Sequence, residues 1–203
     1  MVSTLLKCGA YIDAKDDLCG ATPFHFACFR GHNEVVKFLL NAGVDKAARD
    51  IAGDTPMHYA VLGGQPATLS LLITRGAQTG LRDSKLGRTP LHDAVAKDLT
   101  ECTAILLARA NAEVRDDENM ATPLHIAAWF NRAEIAQQLL ARRVSPTLTD
   151  RNQLAPIHWA AIQGSCDVMK ILLTESNVLM TGLKGGNYGR TPLHACFFYP
   201  FLF

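Results

Sequence analysis

The sequence predicts an all-α fold, a solenoid of stacked helix-turn-helix units joined by hairpin loops. Three observations predict it. A four-residue phrase, Thr-Pro-apolar-His, begins at Thr22, Thr55, Thr89, Thr122 and Thr191, and returns once with Ala155 in place of the Thr. The steps between phrases are 33, 34, 33, 33 and 36 residues. An apolar pair stands 17 and 18 residues after each of the first five starts: Leu39-Leu40, Leu72-Ile73, Leu106-Leu107, Leu139-Leu140 and Leu172-Leu173. A period in this range marks supersecondary units that each bury their apolar face only against a neighbour.

Each part of the unit has a physical reason. The Thr side chain caps a helix start, and the Pro fits the first turn because no N–H is needed there. The apolar residue and the Ala at the fifth position after the Thr (Ala27, Ala60, Ala94, Ala127, Ala160) lie three apart, so one face of the first helix is apolar and packs closely. The turn between helices falls on Gly31, Gly64, Asp98, Asn131 and Gly164, residue types that tolerate positive φ. The apolar pair closes the second helix, and Gly43 and Gly76 supply its left-handed end.

In order, the chain divides into a partial unit at 1–16, complete units at 17–49, 50–83, 84–116, 117–149 and 150–185, and a partial unit at 186–203. Val2, Leu5 and Leu6 align with Val36, Leu39 and Leu40, so Met1 falls inside a second helix. After His194 there is room for one helix only. A solenoid needs polar-faced terminal units, and we expect this chain to be a piece of a longer array.

With the residue after each His-x doublet small and the marks above in place, the chain resembles the ankyrin-repeat family over its whole length. That resemblance implies a β-turn and two helices per repeat, a non-catalytic role in protein binding as an adaptor or scaffold, and a partner held in the concave groove and on the hairpin tips. The alternative that it implies is the regulatory portion of a larger enzyme, channel or acyltransferase.

Composition bounds the rest. The net charge of +1 gives no reason to expect nucleic acid. The six cysteines form no C-x-x-C pair and no signal peptide precedes them, which predicts free thiols in a cytoplasmic or nuclear setting. No apolar run approaches the roughly 20 residues that cross a bilayer, so no membrane insertion by this segment is expected. The expected state is a monomer or part of a longer chain. No phosphate loop, nucleophile elbow or zinc-protease motif occurs, and the Gly-rich run 182–189 lacks the strand and Lys-Ser/Thr of a phosphate loop. Neither catalytic residues nor cofactor nor metal are expected: one stacking step separates successive histidines into a row, and each ring is expected to tie turn to helix.

Partner-binding residues are expected on the stripe at positions 4, 7 and 8 after each Thr. It carries Phe29, Arg30, Tyr59, Leu62, Lys97, Trp129, Phe130, Trp159 and Gln163. Trp, Tyr and Arg dominate binding hot spots, and position 4 is equally consistent with packing between helices. The tips, with Lys85, Arg88, Glu118 and Asn119 among them, form a second contact set. Ala155 loses a cap, Met120 and Gln153 replace a hairpin Gly, and Ala110, Arg143 and Ser176 replace the Gly that ends helix two. These departures predict that the C-terminal half frays first.

Overall fold

A computed structural model describes residue 4, residues 8–175 and residues 180–198. The sequence expectations for Val2, Leu5, Leu6, Ser176 and the aromatic tail from Tyr199 to Phe203 fall outside the described residues. Helices come in pairs: α1 (Pro23–Arg30) and α2 (Asn33–Asn41), α3 (Pro56–Leu62) and α4 (Pro66–Thr74), α5 (Pro90–Ala96) and α6 (Thr100–Leu107), α7 (Pro123–Trp129) and α8 (Ala133–Ala141), α9 (Pro156–Gln163) and α10 (Cys166–Glu175). A 3-10 turn (Met180–Gly182) and α11 (Pro192–Phe198) follow. First helices pack on first helices in chain order, and second helices on second helices.

The phrase that recurs in the sequence becomes a capping box. Thr22 N–H donates to Nδ1 of His25 at 3.0 Å, and the Thr22 hydroxyl lies 2.9 Å from the same nitrogen and takes the His25 backbone N–H. Thr55, Thr89 and Thr122 repeat this geometry with His58, His92 and His125. An imidazole does here what Glu or Gln does in the common box. At Ala155 only the backbone half survives, Ala155 N–H to His158 Nδ1 at 3.2 Å, because Ala has no hydroxyl.

The same rings also couple repeats. With Nδ1 accepting, Nε2 carries the hydrogen and reaches the carbonyl just before the next cap: Asp54, Arg88, Ala121, Leu154 and Arg190 for His25, His58, His92, His125 and His158, at 3.0–3.3 Å. The five rings are fully buried. Burial lowers every one of them, His92 and His125 to about 4.

Positions 2, 5 and 6 after each cap form the core. Phe24, Met57, Leu91, Leu124 and Ile157 are buried with the alanines and with Cys28, Val61, Val95, Ala128 and Ala161. Val36, Leu39, Leu69, Leu72, Leu106, Ile135, Leu139, Val168 and Leu172 close it from the second helices. The loops are single-turn fingers rather than strands. The bridge between Gly185 and Arg190 is the sole β pairing among the described residues. One backbone bond joins each finger to the next: Ile51 to Cys19, Ser84 to Ala52, Asp117 to Leu86, Arg151 to Asn119 and Gly186 to Gln153.

Candidate functional site

The predicted stripe separates into two aromatic groups with an acidic stretch between them. The first is centred on Tyr59. Its ring meets His25, Phe26 and Phe29 edge-on, with centroids 4.9, 6.2 and 6.4 Å away. Its hydroxyl donates to Asp50 Oδ2 at 2.9 Å. Phe29 is 37% exposed, and the Arg30 guanidinium lies 5.9 Å from its ring centroid. Leu62 is half-buried beside this group's helix end.

The second group lines a cleft of about 230 Å³ formed by Arg88, Asp116, Glu118, Asn119, Ile126, Trp129, Phe130 and Trp159. Trp159 is its floor. It is 6% exposed, and its Nε1–H donates to Asp150 Oδ2 at 2.9 Å. Trp129, half-buried, meets Trp159 edge to face at 5.5 Å. Phe130 is 45% exposed at the rim, with the Arg132 guanidinium 5.6 Å from its centroid. Trp159 thus supports the surface more than it forms it. Lys97 and Gln163 are exposed at the ends of α5 and α9 and line neither group.

Exposure rises along the stripe for a simple geometric reason. Position 4 lies between neighbouring helices, and position 8 lies at the helix end. Ile126 and Trp159 are buried at position 4, and only Phe26 is open there; Arg30, Lys97, Phe130 and Gln163 are all exposed at position 8. Position 8 of the second repeat is Gly63, which the stripe reading passed over. A Cβ there would collide with the Phe29 carbonyl oxygen, so this Gly sets how closely α1 and α3 approach.

Between the two groups, Asp54 and Asp93 bring carboxylates within 4.8 Å of each other and of a His58 ring nitrogen. Burial and repulsion from Asp54 and Asp83 push Asp93 up to about 7. Burial and repulsion from Asp50 and Asp83 push Asp54 up to about 6. The trio offers ligand types a metal could use, but His58 is committed. Its Nδ1 serves the Thr55 cap and its Nε2 the Arg88 carbonyl, so ligation would dismantle the box. Asp54 stands just before a cap and Asp93 at position 4 of the next repeat, 39 residues on, so sequence spacing alone does not bring them together. The available signal was a carboxylate at position 4, where Tyr59 and Trp159 carry donors.

The turns follow the sequence reading at most points. Asp98, Asn131, Met120, Gln153 and Arg143 all take positive φ, between 53 and 61°. Ala110 avoids it. There α6 ends one residue earlier than its neighbours, and Leu106 O accepts from both Arg109 and Ala110. All six cysteines are free. Among the described residues no helix is long and apolar enough to cross a membrane.

Comparison with known proteins agrees with this architecture. The family model described as ankyrin repeats (3 copies) matches residues 1–83 and 63–150. The crystal structure of the ankyrin repeat domain of Bcl-3, described as a unique member of the IkappaB protein family, superposes with a TM-score of 0.84 at 26% identity. That match covers 96% of this chain and 85% of that one. No curated protein matches. Ankyrin repeats are generally protein-interaction modules. Recurring cap, αL turns, paired helices and family match converge, and the chain belongs to the ankyrin-repeat family.

Proposed function

We propose that the chain is a non-catalytic adaptor or scaffold that holds a protein or peptide partner across its stripe of first-helix ends, assisted by the finger tips. The observation that carries this reading is the cleft of Trp129 and Phe130 over Trp159. Such an aromatic surface, half-open and already rigidified by an indole–carboxylate bond beneath it, offers contact area at low ordering cost. Phe29, Arg30 and Tyr59 form a second contact area two repeats away. Lys97 and Gln163 belong to the rim, where single contacts are worth little. Cytoplasmic or nuclear residence fits the free thiols.

The test is affinity capture from a cell extract with wild type and with a Trp129→Ala, Phe130→Ala double variant, followed by identification of what is held. Circular dichroism checks that the variant is folded. A partner kept by wild type and lost by the variant supports the cleft. For that identified partner, Trp129→Ala alone is expected to cost about 2 kcal/mol of binding. Equal recovery by the folded variant sinks the cleft and moves the contact to the finger tips.

A further inference from the structure

The cleft has a charged wall whose sign narrows the partner. Its charged lining is two carboxylates, Asp116 and Glu118, against one guanidinium, Arg88. Arg88 stands between them, with Nε 3.9 Å from Asp116 Oδ2 and Nη2 3.9 Å from Glu118 Oε2. Both distances lie beyond hydrogen-bond reach, and the buried Nε has no hydrogen-bond partner. The resident cation therefore reduces the negative charge without occupying the Glu118 acceptors, whereas Asp116, its side chain 1% exposed, accepts the Asn119 and Ala121 backbone N–H groups at Oδ1. Carboxyl groups continue along the same stripe. In the second and fifth repeats, position 4 supplies a hydroxyl or indole N–H to the finger aspartate. In the third repeat that position is Asp93, itself a carboxylate and a charge neighbour of Arg88. The donor that the second and fifth repeats carry internally is missing there.

Aromatic faces beside a half-exposed carboxylate with unused acceptors, Glu118, suit a cation on an apolar stem. We infer that the cleft seats an arginine or lysine side chain of the partner's binding segment, its methylenes against Trp129 and Phe130 and its head toward Glu118, the buried Asp116 adding only its charge. This rests on the cleft being the partner site. An acidic segment would meet two carboxylates already short of positive charge. A purely apolar one would desolvate Glu118 with nothing in exchange.

The chain's two tryptophans both line this cleft, so intrinsic tryptophan fluorescence reads its occupancy. The probes are three acetylated, amidated tetrapeptides, Gly-Arg-Arg-Gly, Gly-Glu-Glu-Gly and Gly-Leu-Leu-Gly, titrated into the full chain. Only the arginine peptide is expected to give a saturable change, and about 0.5 M salt is expected to weaken it. Glu118→Gln, a substitution on a half-exposed tip, is expected to raise the half-saturation point about two- to fivefold. An equal or stronger response to the glutamate or leucine peptide overturns the inference, as does no response to any of them or an unchanged half-saturation in Glu118→Gln. Partner capture that depends on Trp129 but ignores charge defeats the cation alone. Loss of that dependence defeats the partner reading beneath it.

Discussion

Replacing Asp93 with Asn is expected to stabilise the protein, and the pH at which it does so follows from the structure. Asp93 faces Asp54 and Asp83, with Arg88 and Lys97 as the opposing charges. Its carboxyl titrates at about 7 against an ordinary 3.8. Each pH unit of displacement is worth about 1.4 kcal/mol, so the ionised side chain costs the fold about 4 kcal/mol before screening. Asp93 is half-buried on the open side of the stripe, where water and salt reduce this to about 2 kcal/mol. The folded chain keeps its proton to higher pH than the unfolded chain. Its contribution is fully present below the unfolded value and is lost as pH rises through the folded one. Urea unfolding of wild type and Asp93→Asn, followed by circular dichroism from about pH 4 to about pH 8, measures it. The two curves are expected to coincide near the acid end. The variant should gain its full advantage of about 2 kcal/mol above about pH 7. A difference that does not vary with pH, or a variant less stable than wild type at the alkaline end, refutes the reasoning.

Further outcomes follow from the same geometry. The buried imidazoles titrate below their unfolded value of 6.5, His92 and His125 at about 4, because burial disfavours the charged ring. Their stability is present above 6.5 and is lost as pH falls toward 4. Five such rings outweigh three carboxyls raised by burial, Asp54, Asp93 and Asp150, so wild type should weaken on acidification. A urea midpoint higher at about pH 5 than at about pH 7 would contradict this. Gly63→Ala forces α1 and α3 apart at the Phe29 carbonyl and should cost about 1–3 kcal/mol by thermal unfolding. Ala155→Thr completes the box at His158 and should add about 0.5–2 kcal/mol. In wild type, hydrogen exchange should be faster beyond residue 143 than over residues 20–80. Equal protection would show that the missing cap and the strained turns at Arg143 and Gln153 do not decide local stability.

What the sequence disclosed was local chemistry repeated at a fixed period. The Thr-Pro-x-His phrase announced its own box, and Asp98 and Asn131 announced left-handed turns, because both depend on residues a few positions apart. Met120, Gln153 and Arg143 entered the same conformation against their preference, so stacking imposes it. What stayed hidden depends on the repeat next door. Whether position 4 is a surface or a floor is decided by the bulk one period away. Trp159 is covered through Trp129, and Phe26 is left 44% exposed. The contact of Asp54 with Asp93 and the close pass of Gly63 under Phe29 are likewise relations between repeats. No single window of sequence contains both partners.

The imidazole-to-carbonyl chain also fixes where this protein tolerates added length. His158 reaches Arg190, the residue just before the next cap, as every earlier ring does, although the last step is 36 residues and the others 33 or 34. It also meets the Leu183 carbonyl at 3.1 Å. The ring therefore reads the position of a finger and not the contour length leading to it. What a repeat must keep is the place of these two acceptors and not its number of residues. An insertion that leaves both carbonyls on the ring should keep the stack in register. The same insertion between a finger aspartate and its cap would displace the acceptor and uncouple the two repeats it joins.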